Sequence, residues 1–275
     1  MDKLEKALAK ARTQREQALN EQRPQSGIRS ESIKNSATNR INTPAINLIE
    51  VDKAYLEKNH IISYHTRSQE ADVFRILRTQ VLQQMNHSNL RTLGITSPRY
   101  GDGKSTIALN LAVSIAQDLK QTVLLVDIDL RKPSVAEYLG IVAPLGITDY
   151  CLQNTPISEC IIRPSFERLS ILPAGCSLDN SSEIIGSPKM AQLAEELKTR
   201  YADRLIIYDM PPVLAQDDPI AFIPNIDAFL LVVRNGVTQV SDIKDSMNLL
   251  TGANVIGTVL NDYKVKIKTT NKNKY

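Results

Sequence analysis

Three short stretches carry residues suited to handling phosphate charge. The first is SPRYGDGKST, Ser97 to Thr106. Gly101 and Gly103 let the backbone curl so that successive N–H groups face inward toward an anion. Lys104 supplies a point charge, and the Ser105 hydroxyl can join the oxygen shell of a hard cation. The stretch sits between a predicted strand and a predicted helix, whose N-terminal end also favours phosphate. It follows the pattern G-x-x-x-x-G-K-[ST] except at its first position, where Pro98 stands. This chemistry suits ATP with Mg²⁺. We place the nucleotide contacts on Gly101, Asp102, Gly103, Lys104, Ser105 and Thr106, with Thr106 supporting the α-phosphate.

The second stretch, LLVDIDLRKP, sets Asp127, Asp129 and Arg131 just after an apolar run; the third, LIIYDMPP, sets Asp209 after another. Pro211 and Pro212 turn the chain away from any sheet there. In open α/β sheets, ligands bind beyond the carboxyl ends of strands, where all these acids fall. A metal-bound triphosphate needs carboxylates at that place, and in-line phosphoryl transfer needs a base near the acceptor. A single aspartate at a strand end is an ordinary turn former. Three of them beside a phosphate loop mark a site.

The elements that must position these residues follow a repeating rhythm. Strands are expected at Leu93–Thr96, Val123–Val126, Leu169–Leu172, Leu205–Tyr208, Ala228–Val233 and Val255–Leu260. Between them fit helices at Ser105–Leu119, Lys189–Arg200 and Val240–Leu250. Unbroken apolar strands alternating with helices predict an α/β fold: a mostly parallel sheet with helices on both faces. The P-loop domain should span 59–262.

Ahead of it, residues 1–22 predict an amphipathic helix, with Leu4, Ala7, Leu8 and Ala11 on one narrow stripe. Such an extension docks a partner, docks back or frays. Residues 23–58, rich in polar residues and proline, predict a flexible linker. A further helix is expected from Gln69 to Met85, capped by Ser68. Its wheel puts Phe74, Leu77 and Val81 on one face and Asp72, Arg75 and Arg78 on another. By itself that charged face reads as a solvated surface. Residues 263–275 predict a basic, disordered tail holding Tyr263 and Tyr275.

Composition excludes several classes. Net charge of +3 gives no field for nucleic acid, so none is expected as a partner. Cys151, Cys160 and Cys176 are too far apart for a C-x-x-C motif, and His60, His65 and His87 do not complete a zinc pattern. The N-terminus is too polar for a signal peptide, and no apolar run reaches bilayer length. These features predict a cytoplasmic protein that reaches a membrane only through a partner.

Taken together, GDGKST, LLVDIDLRKP and LIIYDMPP resemble the phosphate loop and two acidic motifs of bacterial tyrosine kinases. These are cytoplasmic autokinases of capsule and exopolysaccharide assembly, akin to the ParA/MinD ATPases. The resemblance runs from about Ser68 to Asp262 and takes in EADVFRILRT, LPAG at Leu172–Gly175, and VIGTVLND. It implies that Lys104 and Ser105 grip phosphate and Mg²⁺, and that Asp127 is the base toward a tyrosine hydroxyl. Asp209 becomes the second metal acid, Asp129 an aid to the metal or its water, and Arg131 a nucleotide contact. With Asp127, Ser105 and Asp209 complete the metal set.

The family's Glu-x-x-Arg-x-x-Arg helix, which packs subunits into a ring, reads Asp72-x-x-Arg75-x-x-Arg78 here. Implied partners are a membrane-embedded chain-length (co-polymerase) protein, other copies of the chain, and a phosphotyrosine phosphatase. The location implied is peripheral to the inner membrane. Family kinases usually end in a tyrosine cluster, whereas this tail has two tyrosines among lysines. The alternative is a ParA/MinD-like ATPase switch without tyrosine phosphorylation. Such switches carry a second lysine early in the loop, where this chain has Arg99.

Overall fold

The computed structural model describes residues 48–65, 67–118, 121–200 and 204–263. The helix expected over 1–22 and the tail beyond Tyr263 lie outside the described residues. The described residues open with β1 (Leu48–Ile49), α1 (Lys53–Lys58) and α2 (Gln69–His87). Next come β2 (Thr92–Thr96), α3 (Lys104–Ala116), β3 (Thr122–Asp127), α4 (Val135–Tyr138), α5 (Ile147–Gln153) and α6 (Ile157–Cys160). Then follow β4 (Arg163–Pro164), β5 (Leu169–Leu172), α7 (Ser181–Ile185), α8 (Pro188–Arg200) and β6 (Arg204–Asp209). The remainder is α9 (Asp218–Phe222), β7 (Ala228–Arg234), α10 (Val240–Leu249) and β8 (Val255–Asn261).

Six strands form one sheet in the order β5-β3-β6-β2-β7-β8, with every pair parallel. Side chains alternate between its two faces. On one face Leu125, Ile207 and Leu230 pack with Ile107, Leu111 and Ile115 of α3 and with Val81 and Met85 of α2. On the other, Leu124, Ile206, Tyr208 and Phe229 pack with Leu193 and Leu197 of α8 and Phe222 of α9. β3, β6 and β7 are therefore apolar at successive positions, which is why each reads as an unbroken run. Order along the sheet places the ends of β3, β6 and β2 side by side, bringing the three motifs to one edge.

Two expectations need correction. The linker assigned to 23–58 has structure at its end, where β1 pairs with β4 and α1 forms. Asp52 caps α1, its Oδ1 accepting from the Ala54 N–H at 2.9 Å, and Leu56 is buried. A one-turn helix with one buried leucine has no periodicity that composition reveals.

The second correction concerns α2. Arg75 and Arg78 do not lie opposite the packed side. Ala71, Val81 and Met85 are buried, and Arg75 and Arg78 stand at helical spacing within that stripe, half-buried. Arg78 Nη1 donates to the Ser114 carbonyl at 2.8 Å, and Arg75 Nη1 donates to the His65 carbonyl at 3.2 Å while also pairing with Asp72. Their aliphatic stems cover apolar surface as the heads reach polar partners. Val73 and Ile76 take the outer face, 62% and 60% exposed.

Candidate nucleotide and phosphoryl-transfer site

The loop between β2 and α3 is shaped by its glycines and by an acid. Gly101 and Gly103 have φ of 85° and 96°, in the left-handed region that favours glycine, and a Cβ on Gly103 would strike the Asn261 amide. Asp102 is buried and turned into the loop. Its Oδ2 accepts from the Arg99 N–H and its Oδ1 from Thr238 Oγ1, both at 2.9 Å. Its carbonyl accepts from Asn261 Nδ2 at 2.9 Å. This side chain braces the loop from inside. Arg99 faces away as well, its guanidinium forked on Asp242 at 2.7 and 3.0 Å.

α3 begins at Lys104, so the free N–H groups of its first turn point into the loop. Lys104 is buried, with Nζ 3.0 Å from Asp129 Oδ2 and 3.7 Å from Asp209 Oδ1. Burial opposes its charge, but Asp209, Asp129 and Asp127 outweigh that and hold its pKa above the usual lysine value. Ser134 Oγ bonds Ser105 Oγ at 2.9 Å.

Asp127 ends β3 and organises the turn after it. Its Oδ2 accepts from the N–H groups of Ser134 (3.0 Å) and Val135 (3.1 Å), and its Oδ1 from that of Asp129 (3.1 Å). Burial and the neighbouring Asp209 push its carboxyl up to about 7, against the pull of Lys104 and those amides. Asp209, fully buried, is also pushed up, chiefly by burial. The Lys104 ammonium, 3.7 Å from its Oδ1, and the Ser105 hydroxyl both face Asp209. A buried carboxylate beside a serine hydroxyl is a hard-donor set that fits Mg²⁺.

A cleft of about 910 Å³ opens over these residues. Gly101, Gly103, Lys104, Ser105, Thr106 and Asp129 line it; Asp127, Asp209, Asp102 and Arg131 do not. Arg131 is turned toward α7 and α9. Sequence reasoning missed several wall residues. Tyr100 lies in the loop with Lys132 Nζ 4.1 Å over its ring and its hydroxyl held by Gln216. Arg234, Asn261, Asp262 and Tyr263 close the other side. The VLND run ending β8 was the available signal, since it too falls at a strand's carboxyl end.

Parallel sheet, phosphate loop and convergent acids define a P-loop NTPase, a nucleotide-binding class. Residues 89–275 match a family model described as ParA, the NUBPL iron-transfer P-loop NTPase. The tyrosine-protein kinase YwqD of Bacillus subtilis is 32% identical over 184 residues, 67% of this chain and 76% of YwqD. The succinoglycan biosynthesis transport protein ExoP of Rhizobium meliloti is 31% identical over 71% of this chain, which spans only 25% of ExoP. Among solved structures, the kinase domain of the Escherichia coli tyrosine kinase ETK superposes with a TM-score of 0.68 at 25% identity, covering 83% of this chain and 92% of that domain. This chain belongs to the bacterial tyrosine kinases, a branch of the ParA-type P-loop NTPases.

Proposed function

We propose that this protein transfers the γ-phosphoryl of ATP to tyrosines of its own kind and thereby governs polysaccharide chain length or export. The observation that carries the reaction is that Lys104, Ser105 and Asp129 line one cleft beside the start of α3, with the Asp209 and Asp127 carboxylates buried beneath them around the Lys104 ammonium. Lys104 exchanges its acid partners for the β- and γ-phosphates. Ser105, Asp127 and Asp209 would hold Mg²⁺, which when bound neutralises phosphate charge. The tyrosine oxygen attacks the γ-phosphorus, the bond to the β-phosphate oxygen breaks, ADP leaves, and the phenolic proton passes to Asp127. A second assignment has its own support: of Asp127, Asp129 and Asp209, Asp129 is the one that lines the cleft.

The polysaccharide setting rests on the name of the succinoglycan protein. Among the described residues no helix is long and apolar enough to cross a membrane. By the same likeness this domain works on the cytoplasmic face of the inner membrane, held by a chain-length partner, with its phosphorylation reversed by a phosphotyrosine phosphatase. A ring of copies through Asp72 belongs to the same proposal, with Arg75 and Arg78 shaping that helix from its inner side. The test is mass spectrometry after incubation with Mg·ATP. Phosphotyrosine absent from the Lys104→Met variant supports the reading; ATP hydrolysis without phosphotyrosine, even with the partner present, replaces it by a nucleotide switch.

A further inference from the structure

The lysines and arginines that line the cleft differ in what they hold. Lys104 pairs with Asp129 and Asp209, and Arg234 pairs with Asp262 at 3.2 Å. Lys132 also lines the cleft, yet it makes no ion pair among the described residues. Its Nζ stands instead 4.1 Å from the centre of the Tyr100 ring. Tyr100 belongs to the phosphate loop, beside Gly101, and lines the cleft as well. Arg99, the residue before it, is held by Asp242 and serves no ligand.

Both ends of this contact are fixed. The Tyr100 hydroxyl accepts from Nε2 of Gln216, which is buried. The Lys132 N–H donates to Asp129 Oδ1 at 3.1 Å, while Asp129 Oδ2 pairs with Lys104 at 3.0 Å. One carboxylate therefore holds both the turn that carries Lys132 and the ammonium of the loop lysine. An aromatic face attracts a cation only weakly at an open site and leaves its charge uncancelled. A phosphate oxygen entering the cleft offers the same ammonium a charge-assisted bond, which is stronger. Tyr100 precedes the loop glycines and Thr106 follows them. With the α-phosphate at Thr106 and the loop cradling the outer phosphates, an ammonium over Tyr100 serves the terminal one.

We propose that Lys132 is a second catalytic cation, which leaves the Tyr100 ring to bind the γ-phosphate, and that Tyr100 is the positioning residue that keeps it in reach. This rests on the cleft being the ATP site. Lys132 neither gives nor takes a proton. Its charge offsets the negative charge on the phosphoryl oxygens as the bond to ADP breaks.

The experiment uses the full chain and reads kcat for ADP release from Mg·ATP, affinities for ADP and for the β,γ-imido analogue of ATP, and Tm. Lys132→Met should lower kcat on the order of 10²-fold and weaken the imido analogue, with ADP affinity and Tm held. Lys132→Arg, which keeps the charge, should recover part of the turnover. Tyr100→Ala should lower kcat about tenfold, and Tyr100→Phe, which keeps the ring, should restore it. In a Lys132→Met background Tyr100→Ala should lower kcat no further. Full turnover in Lys132→Met overturns the proposal, because Lys132 is then a surface cation only. Equal weakening of ADP and the imido analogue also overturns it, since the ammonium then serves the inner phosphates. Additive losses in the double variant overturn the role of Tyr100. Full turnover in Lys104→Met would instead defeat the ATP-site reading, so the two failures are distinct.

Discussion

Lys104 holds its ammonium 3.0 Å from Asp129 Oδ2, so the cation of the phosphate loop is already paired with an acid just past the end of β3. Binding a triphosphate exchanges one anion for another on the same nitrogen. The lysine stays charged and buried throughout, and its aim is set before the nucleotide arrives. Lys104→Met should abolish ATP turnover and tyrosine phosphorylation, a loss of roughly 10²–10³-fold. Unchanged turnover with a native circular dichroism spectrum would remove the loop assignment.

Asp127 gives a pH prediction. With its carboxyl pushed up to about 7, it holds its proton below that pH and cannot accept another. Activity as kcat/KM should therefore climb as pH rises through about 7 and level above it. Asp127→Asn should remove the climb and lower turnover roughly 10²–10⁴-fold, with ADP affinity little changed. If Asp129→Asn removes the climb instead, the proton acceptor is Asp129.

Arg78→Ala should destabilise the monomer, because Arg78 ties α2 to the Ser114 carbonyl of the helix that carries the phosphate loop. A lost charge-assisted bond of this kind costs about 1.5–3 kcal/mol, readable in a urea titration. Val73→Ser with Ile76→Ser, on the exposed face, should leave stability within about 0.5 kcal/mol while shifting any oligomer toward monomer. Light scattering that finds the oligomer intact would place the interface elsewhere.

Asp102→Ala should weaken nucleotide binding although its carboxylate does not face the cleft. It removes the acceptors for the Arg99 amide and Thr238, so the loop loses its inner brace. A raised KM for ATP with kcat largely retained is the expected pattern. A fall in kcat alone would mean that the carboxylate contacts the reacting group.

Tyr263 stands at the cleft, 61% exposed, two residues past the end of β8. Phosphate is expected on Tyr263, Tyr275 or both, lost in Lys104→Met and restored by mixing that variant with active protein. A chain truncated after Asp262 should label weakly. Labelling equal to the full chain would move the acceptor to another tyrosine.

The sequence alone settled what depends on local pattern. Continuous apolar runs marked β3, β6 and β7, since strands buried on both faces need apolar residues at every position. The glycines, Lys104 and Ser105 announced a phosphate loop because anion binding by backbone amides demands that local geometry. Asp127, Asp129 and Asp209 were legible because strand ends in a parallel sheet share one edge. Tertiary structure decided where side chains point. Asp102 turned inward and Arg131 toward Ser181 because partners dozens of residues away, Thr238 and Ser181 among them, offered better bonds. Arg75 and Arg78 joined the packed stripe of α2 because their stems could cover apolar surface while their heads found carbonyls of residues 65 and 114. A helical wheel records only angles along one element. Which face is covered depends on what folds against it.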